Sequence, residues 1–341
     1  MTRADLILVN LGTPNTPTEK DVRAFLAEFL GDPMVVEKPR WLWLPILHGI
    51  ILRRRPKVIA KAYEEIWGPE REAGGSPLAI GTRALAEGAA AIAGDDLRVT
   101  YAYRYGSPNI ESRVREIQAE SPDSDHPIWV VPLFAQQTAS STGTVHVLVR
   151  KLAAKLGLGA RLQSKGMAPD DPGYIQALGD NVRDRIADFP SNAPIHLLAS
   201  FHGIPCYVNK AEGFQYSSDC EATFEALKRN LGWTEEGAPA PFQAATLAYQ
   251  SKFGRDPWIT PSTENTLEQL GAQKTSVLLV APSFLTPGLE TVEELGIQGK
   301  ETFEDAGGLT FALCEAPVES TASQQALVQA LLDLIKDKGP K

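Results

Sequence analysis

Short apolar runs that end in turn residues recur along this chain, and between them lie stretches whose apolar residues return every three or four positions. The clearest runs are Leu6-Ile7-Leu8-Val9, Ile128-Trp129-Val130-Val131, Ile195-His196-Leu197-Leu198-Ala199 and Ser276-Val277-Leu278-Leu279-Val280. A strand that is apolar at nearly every position must be covered on both faces, as in a parallel sheet between helices. The alternation therefore points to a doubly wound α/β fold. Further strands are predicted at 99–103 and 242–249. A helix is predicted from Thr18, and others at 56–67, 80–92, 148–156, 172–186, 220–231, 263–270, from 289 onward and at 323–336. The plan runs twice, with the boundary expected at Leu158-Gly159-Ala160. Two similar α/β lobes, 1–158 and 159–316, are expected to face each other across a ligand-holding cleft, with a terminal helix in 317–341 packing back on them.

Composition narrows the function. With 341 residues, 43% of them hydrophobic, the chain can bury two substantial cores. A net charge of −9 argues against a nucleic-acid partner. The 3 cysteines, Cys206, Cys220 and Cys314, are scattered with no C-x-x-C pair, so neither a disulfide framework nor a zinc or iron–sulfur centre is expected. The first residues lead straight into a strand without a leader-like pattern, and a cytoplasmic enzyme is expected.

Residues 41–52, Trp-Leu-Trp-Leu-Pro-Ile-Leu-His-Gly-Ile-Ile-Leu, form the most apolar stretch. It falls short of the ~20 residues needed to cross a bilayer, and Pro45 and Gly49 interrupt it. Arg53-Arg54-Arg55 follow at once. Two readings stand open. One is a core helix whose basic end suits the helix dipole. The other is an exposed lip that admits an apolar ligand or touches a membrane surface.

Several site types are absent. Leu162 occupies the third glycine position of the only G-x-G-x-x-G-like stretch, and neither a Walker loop nor a G-x-S-x-G elbow occurs. Of the 5 histidines, none forms an H-E-x-x-H pair. His202 stands out because Gly203 and Pro205 define a tight loop at the carboxyl end of an apolar strand, where open α/β sheets bind ligands. His196, inside the same run, reads as a hydrogen-bonded core residue. After the Ser276 run comes Leu289-Glu290-Thr291, then Glu293, Glu294 and Glu301. By elimination His202 and Glu290 lead. Glu294, four residues from Glu290, would share its face of an α-helix and form a proton or cation path.

Taken in order, these stretches resemble the ferrochelatase family. The likeness is carried by Leu8-Val9-Asn10-Leu11-Gly12-Thr13-Pro14, by 41–52 with Arg53-Arg54-Arg55-Pro56, and by Gly75-Ser76-Pro77-Leu78 and Tyr103-Arg104-Tyr105-Gly106. It continues through Ser200-Phe201-His202-Gly203-Ile204-Pro205, Gln250-Ser251-Lys252-Phe253-Gly254 with Trp258, and Leu289-Glu290-Thr291 with Glu294. The resemblance implies Rossmann-like lobes of the chelatase type and a lyase that inserts Fe2+ into a porphyrin. It implies His202 and Glu290 as the catalytic and metal-binding residues at the ring centre. Leu11, Arg53, Arg54, Arg104, Tyr105, Ser140 and Thr142 are the implied porphyrin contacts. Arginines 53, 54 or 104 would meet the propionates.

Iron is then a substrate, and no other cofactor is expected. Peripheral membrane contact through 41–52, on the inner membrane face, and a monomeric or weakly dimeric state complete the expectation. The chain departs from the family pattern at Gly288, where histidine or cysteine is frequent, at Gln298, usually an acid, and in Phe134-Ala135-Gln136-Gln137-Thr138, where Tyr-Pro-Gln-Tyr-Ser is usual, so that Phe134 and Gln137 replace tyrosines and Ala135 a proline. Leu11, rather than tyrosine, favours protoporphyrin over coproporphyrin. Alternatives are a paralogue that binds porphyrin or heme without efficient metal insertion, and a related chelatase acting on coproporphyrin or using cobalt.

Overall fold

The computed structural model of the chain describes residues 4–67, 75–122, 124–191 and 193–336. It divides into two compact units, Met1–Met167 with Leu331–Lys341, and Ala168–Ala330.

The first unit is built on β1 (Ala4–Asn10), whose Leu6, Ile7, Leu8 and Val9 are fully buried, as a central strand between two helical layers must be. After β1 come α1 (Glu19–Gly31), α2 (Arg40–Ile46), α3 (Leu52–Trp67) and α4 (Pro77–Ala93), then β2 (Leu97–Tyr103) and α5 (Ile110–Glu120). The unit continues with β3 (Ile128–Pro132), α6 (Thr144–Lys155) and β4 (Leu162–Ser164). The strands form a parallel sheet in the order β2-β1-β3-β4. Helix starts follow local chemistry. Thr18, Ser76 and Asn109 each turn a side-chain oxygen toward a backbone N–H of the first turn. Ile7 and Val9 face α5 and α6 through Val114, Ile117, Val145, Val149 and Leu152.

The second unit repeats this topology. It contains α7 (Pro172–Arg185), β5 (Ile195–His202), α8 (Cys206–Ala211), α9 (Gln215–Asn230), β6 (Phe242–Gln250), α10 (Thr263–Ala272) and β7 (Ser276–Val280). A π-helical segment, Glu290–Gly299, runs into α11 (Lys300–Asp305), followed by β8 (Thr310–Leu313) and α12 (Thr321–Lys336), whose residues from Leu331 onward are grouped with the first unit. Its parallel sheet has the order β6-β5-β7-β8, so β5 and β7 take the places of β1 and β3. Leu198, Val277 and Leu279 pack against Leu267, Leu270, Leu295 and Phe303, and Leu295 thereby anchors the π-helical segment on the sheet.

The structure moves three expectations. The division falls after Met167 rather than at 158, because β4 pairs with β3 and completes the first sheet. The stretch 41–52 is not one core helix with a basic end. It comprises α2, a π-helical turn at Leu47–Ile51 and the start of α3, so the three arginines lie in the first turn of α3 and meet no helix C-terminus. His202 is the last residue of β5, one step earlier than the loop in which the sequence placed it.

Candidate active site

In each sheet the order reverses between the first strand and its neighbour on the far side, and ligands of open α/β sheets bind beyond the strand ends at such a point. In the second unit these ends belong to β5 and β7, which deliver His202 and the segment leading to Glu290.

His202 is half-buried, and its Nδ1 lies 2.7 Å from the carbonyl oxygen of Gly203. A carbonyl only accepts, so Nδ1 carries a proton, and in the neutral ring Nε2 is the nitrogen that holds the lone pair. The tight loop makes this bond. Gly203 N–H donates to Gln250 O at 2.8 Å. A Cβ on Gly203 would stand 2.7 Å from that oxygen and 3.1 Å from the Trp258 ring. Only glycine fits there. Tyr216 Oη donates to the carbonyl of His202, and Phe284 places its ring centroid 6.4 Å from the imidazole. His196, by contrast, is buried and bonded through Nε2 to Thr246 Oγ1 at 2.8 Å.

Glu290 opens the π-helical segment and is half-buried. Its Oε2 would lie 3.2 Å from a Cβ on Gly288, so the glycine leaves room for the carboxylate to lean back over the turn. The backbone is fixed by Gln250 Nε2, which donates to Glu290 O at 2.9 Å, while Gln250 Oε1 accepts from Ser200 Oγ at 2.7 Å. Glu294 accepts from Ser251 N–H and Ser251 Oγ, both at 2.6 Å. Burial raises the Glu294 pKa above the ordinary carboxylate value. The two Ser251 bonds oppose this, the charge of Glu290 adds to it, and His202 lowers it again. His202 and Glu290 thus both act electrostatically on Glu294.

Gln298 does not extend that row. In the wider i→i+5 turn it comes beside Glu293, to which its Nε2 donates at the exposed surface. Among the described residues, no three His, Cys, Asp or Glu side chains cluster to hold a metal ion.

Of the residues named in the first unit, Leu11 and Ser140 are half-buried and Arg53 and Arg54 are exposed. Thr142 is 1% exposed and its Oγ1 has no hydrogen-bond partner. Tyr105 and Arg104 are differently employed. Tyr105 is 1% exposed, and its Oη donates to Asp32 Oδ2 at 3.0 Å. Arg104 lays its guanidinium on the Tyr105 ring, donates Nη2 to Asp32, and donates Nε to Thr144 Oγ1 at 2.9 Å. The carboxylate that Arg104 grips is therefore internal. Of the departures, Ala135 is buried and Gln137 exposed. The lip is mixed. Trp41 is 80% and Ile50 54% exposed, whereas Trp43 is buried with its Nε1 donating to Leu30 O at 2.7 Å.

The sequence profile of ferrochelatase matches residues 3–338. The chain belongs to the ferrochelatase family. Ferrochelatase of Nitrosomonas europaea is 40% identical over 311 residues, 90% of this chain and 81% of the relative. Ferrochelatase of an Azoarcus species is 38% identical over 312 residues, 91% of this chain and 81% of the relative. Among solved structures, SirB from Bacillus subtilis with Fe3+ superposes with a TM-score of 0.54 at 11% identity, covering 98% of this chain and 96% of that one, a likeness of fold. Ferrochelatases are metal chelatases, a class of lyases, and this membership agrees with the two parallel four-stranded sheets.

Sequence reasoning missed Ser251, Gln250 and Gly288 as parts of the site. The signal for Gly288 was present as a departure from the family pattern. That for Ser251 and Gln250 lay in a quoted motif to which no role was given.

Proposed function

We propose that this protein inserts Fe2+ into protoporphyrin IX to form protoheme, the last step of heme synthesis. The observation that carries the reading is the imidazole of His202, whose Nδ1–H is committed to Gly203 O and whose Nε2 is left with a lone pair at the end of β5. Insertion releases two protons from the pyrrole nitrogens as the metal takes their place. A pyrrole N–H is too weak an acid to ionise unaided in water, and the approaching dication acidifies it. Nε2 of His202 accepts a proton, and the Glu290 carboxylate compensates the charge of the dication. Neutral imidazole and carboxylate are both suitable ferrous donors. Glu294 receives the next proton. Its burial favours the protonated form, and the Ser251 donors keep the ionised form accessible.

Arg53 and Arg54 meet the propionates, Leu11 and Ser140 contact the macrocycle, and the apolar side chain of Leu11 suits protoporphyrin. The exposed Trp41, Leu42 and Ile50, flanked by Arg40, Arg53 and Arg54, give apolar contact to the incoming porphyrin and to a membrane surface. No helix among the described residues is long and apolar enough to cross a membrane.

Anaerobic incubation of the purified protein with Fe2+ and protoporphyrin IX, in reducing and lipid-containing buffer, tests this reading through the appearance of the heme spectrum. His202→Ala should lower turnover by about 100-fold or more while porphyrin affinity stays within a few fold. A wild-type protein that binds protoporphyrin and never yields heme would establish the binding paralogue instead.

A further inference from the structure

The chain leaves β6 through a residue in a conformation its side chain disfavours. Ser251 has φ of 63°, in the left-handed region where a Cβ crowds the backbone and glycine is usual. The conformation turns two donors of one residue onto one carboxylate, N–H to Oε1 and Oγ to Oε2 of Glu294, both at 2.6 Å. The preceding residue grips the same π-helical segment at its first residue, Gln250 Nε2 to Glu290 O at 2.9 Å. Gln250 is itself locked. It is 4% exposed and accepts from Ser200 Oγ, which also meets Thr263 Oγ1 at 2.7 Å on α10. A buried polar chain from β5 through β6 to α10 thus holds the platform from which Ser251 reaches out.

A contact needed only for folding would be served as well by glycine, which supplies the same N–H without the crowding. Serine adds one thing, the hydroxyl bond to the second carboxylate oxygen. With both oxygens held, the carboxylate cannot rotate about its last bond, and its place relative to Glu290 is fixed.

Building on the proton-accepting role proposed above for Glu294, we propose that Ser251 is a positioning residue for metal insertion. It touches neither metal nor porphyrin and acts by holding the Glu294 carboxylate through both oxygens in one orientation.

The test is a double-mutant cycle on the full chain, read as kcat and as KM for Fe2+ and for protoporphyrin. Ser251→Ala should lower kcat by about ten-fold, the scale expected for losing a hydrogen bond to a charged acceptor, with KM for protoporphyrin unchanged. Ser251→Gly should lower it similarly although it relieves the backbone. In a Glu294→Ala background, Ser251→Ala should change kcat by less than about two-fold, because the group it acts through is gone. The proposal is overturned by wild-type kcat in Ser251→Ala or Ser251→Gly, or by an equal loss in both backgrounds. A crystal structure of Ser251→Ala reads the same question without turnover. A displaced Glu294 carboxylate supports the proposal, and an unmoved one overturns it. Absence of heme formation by the wild type sinks the functional reading alone.

Discussion

Replacing Asp32 by asparagine separates a structural from a ligand-binding role for Arg104. Asp32 caps the end of α1, and its carboxylate collects bonds from Met34 N–H at 2.8 Å, Tyr105 Oη at 3.0 Å, Thr144 Oγ1 at 3.0 Å and the Arg104 guanidinium. The side chains of Arg104 and Asp32 are 16% and 10% exposed, so the pair is shielded from screening by solvent. Asparagine keeps the shape and removes the charge, which leaves a guanidinium without its counter-charge and sets an amide NH2 against donors, either Met34 N–H at the Oδ1 place or the Tyr105 and Thr144 hydroxyls at the Oδ2 place. Breaking such a pair costs ~3–5 kcal/mol, against up to ~1 kcal/mol for an exposed one.

For a domain of this size each kcal/mol lowers the melting temperature by ~2–4 °C, so a fall of roughly 6–20 °C is expected. The pH dependence has a defined sign. Burial raises the Asp32 pKa, but Met34 N–H, Tyr105, Arg104 and Thr144 outweigh it and hold the carboxyl below its ordinary value of 3.8. A carboxyl held lower in the folded than in the unfolded chain stabilises fully above the ordinary value, and that stabilisation is lost as pH falls through the folded pKa. The gap in melting temperature between wild type and variant should therefore be constant from neutral pH down to the ordinary carboxylate range and close below it. Thermal melts across pH, beside a porphyrin fluorescence titration, read both quantities. An unchanged melting temperature with weakened porphyrin binding would refute the reasoning and return Arg104 to the ligand.

Two further outcomes follow from packing. Gly203→Ala should cost ~1–3 kcal/mol in stability, because the new Cβ would press at 2.7 Å on a backbone oxygen that its own N–H holds. It should also reduce heme formation at saturating substrate, since the Gly203 carbonyl orients His202, and a wild-type rate would contradict that orienting role. In the lip, Trp41→Ser or Ile50→Ser should change stability by under about 0.5 kcal/mol and weaken porphyrin or vesicle binding. Trp43→Ser, which empties a buried site and strands Leu30 O, should cost ~3–5 kcal/mol, and equal melting curves for the three would refute the mixed character of the segment.

The parallel strands were legible because burial on both faces writes itself as an uninterrupted apolar run, and β7 begins and ends where Ser276 to Val280 predicted. Strands β4 and β8 were not legible. They are short edge strands with exposed or half-buried positions, and Leu162-Gln163-Ser164 carries no pattern that turn chemistry would not also write. Missing β4 is what misplaced the boundary between the units. The position of His202 at a strand end was legible because glycine and proline punctuate the loop that follows it. Gln298 was legible only as a departure from the family's acid, and its partner was not, because a helix is taken to advance 3.6 residues per turn whereas the π-helical segment brings it beside Glu293, five residues earlier. Arg104 was read as a propionate contact because Asp32, far away in sequence, gives no local sign that the two will meet.

The two sheets use one device at corresponding strand ends, and the ends differ in the side chain they present. In register, Asn10 at the end of β1 faces Tyr103 of β2, and His202 at the end of β5 faces Gln250 of β6. A glycine stands two residues after Asn10 and one after His202, and each is required by a carbonyl of a neighbouring segment. A Cβ would stand 1.8 Å from Tyr105 O at Gly12 and 2.7 Å from Gln250 O at Gly203. Both ends are thus pinned rigidly where ligands of such sheets bind. In the first unit the pinned residue closes on itself. The Asn10 amide donates to Thr82 Oγ1 at 3.0 Å and accepts from Leu11 N–H at 2.8 Å, which occupies both of its ends. In the second unit the same position carries an imidazole, and one ring nitrogen is enough to satisfy the fold through Gly203 O. The other nitrogen is not used in that bond. The same place in the two sheets thus carries an amide in the first unit and an imidazole in the second, and of the two side-chain types only a neutral imidazole has a nitrogen lone pair able to take a proton near neutral pH.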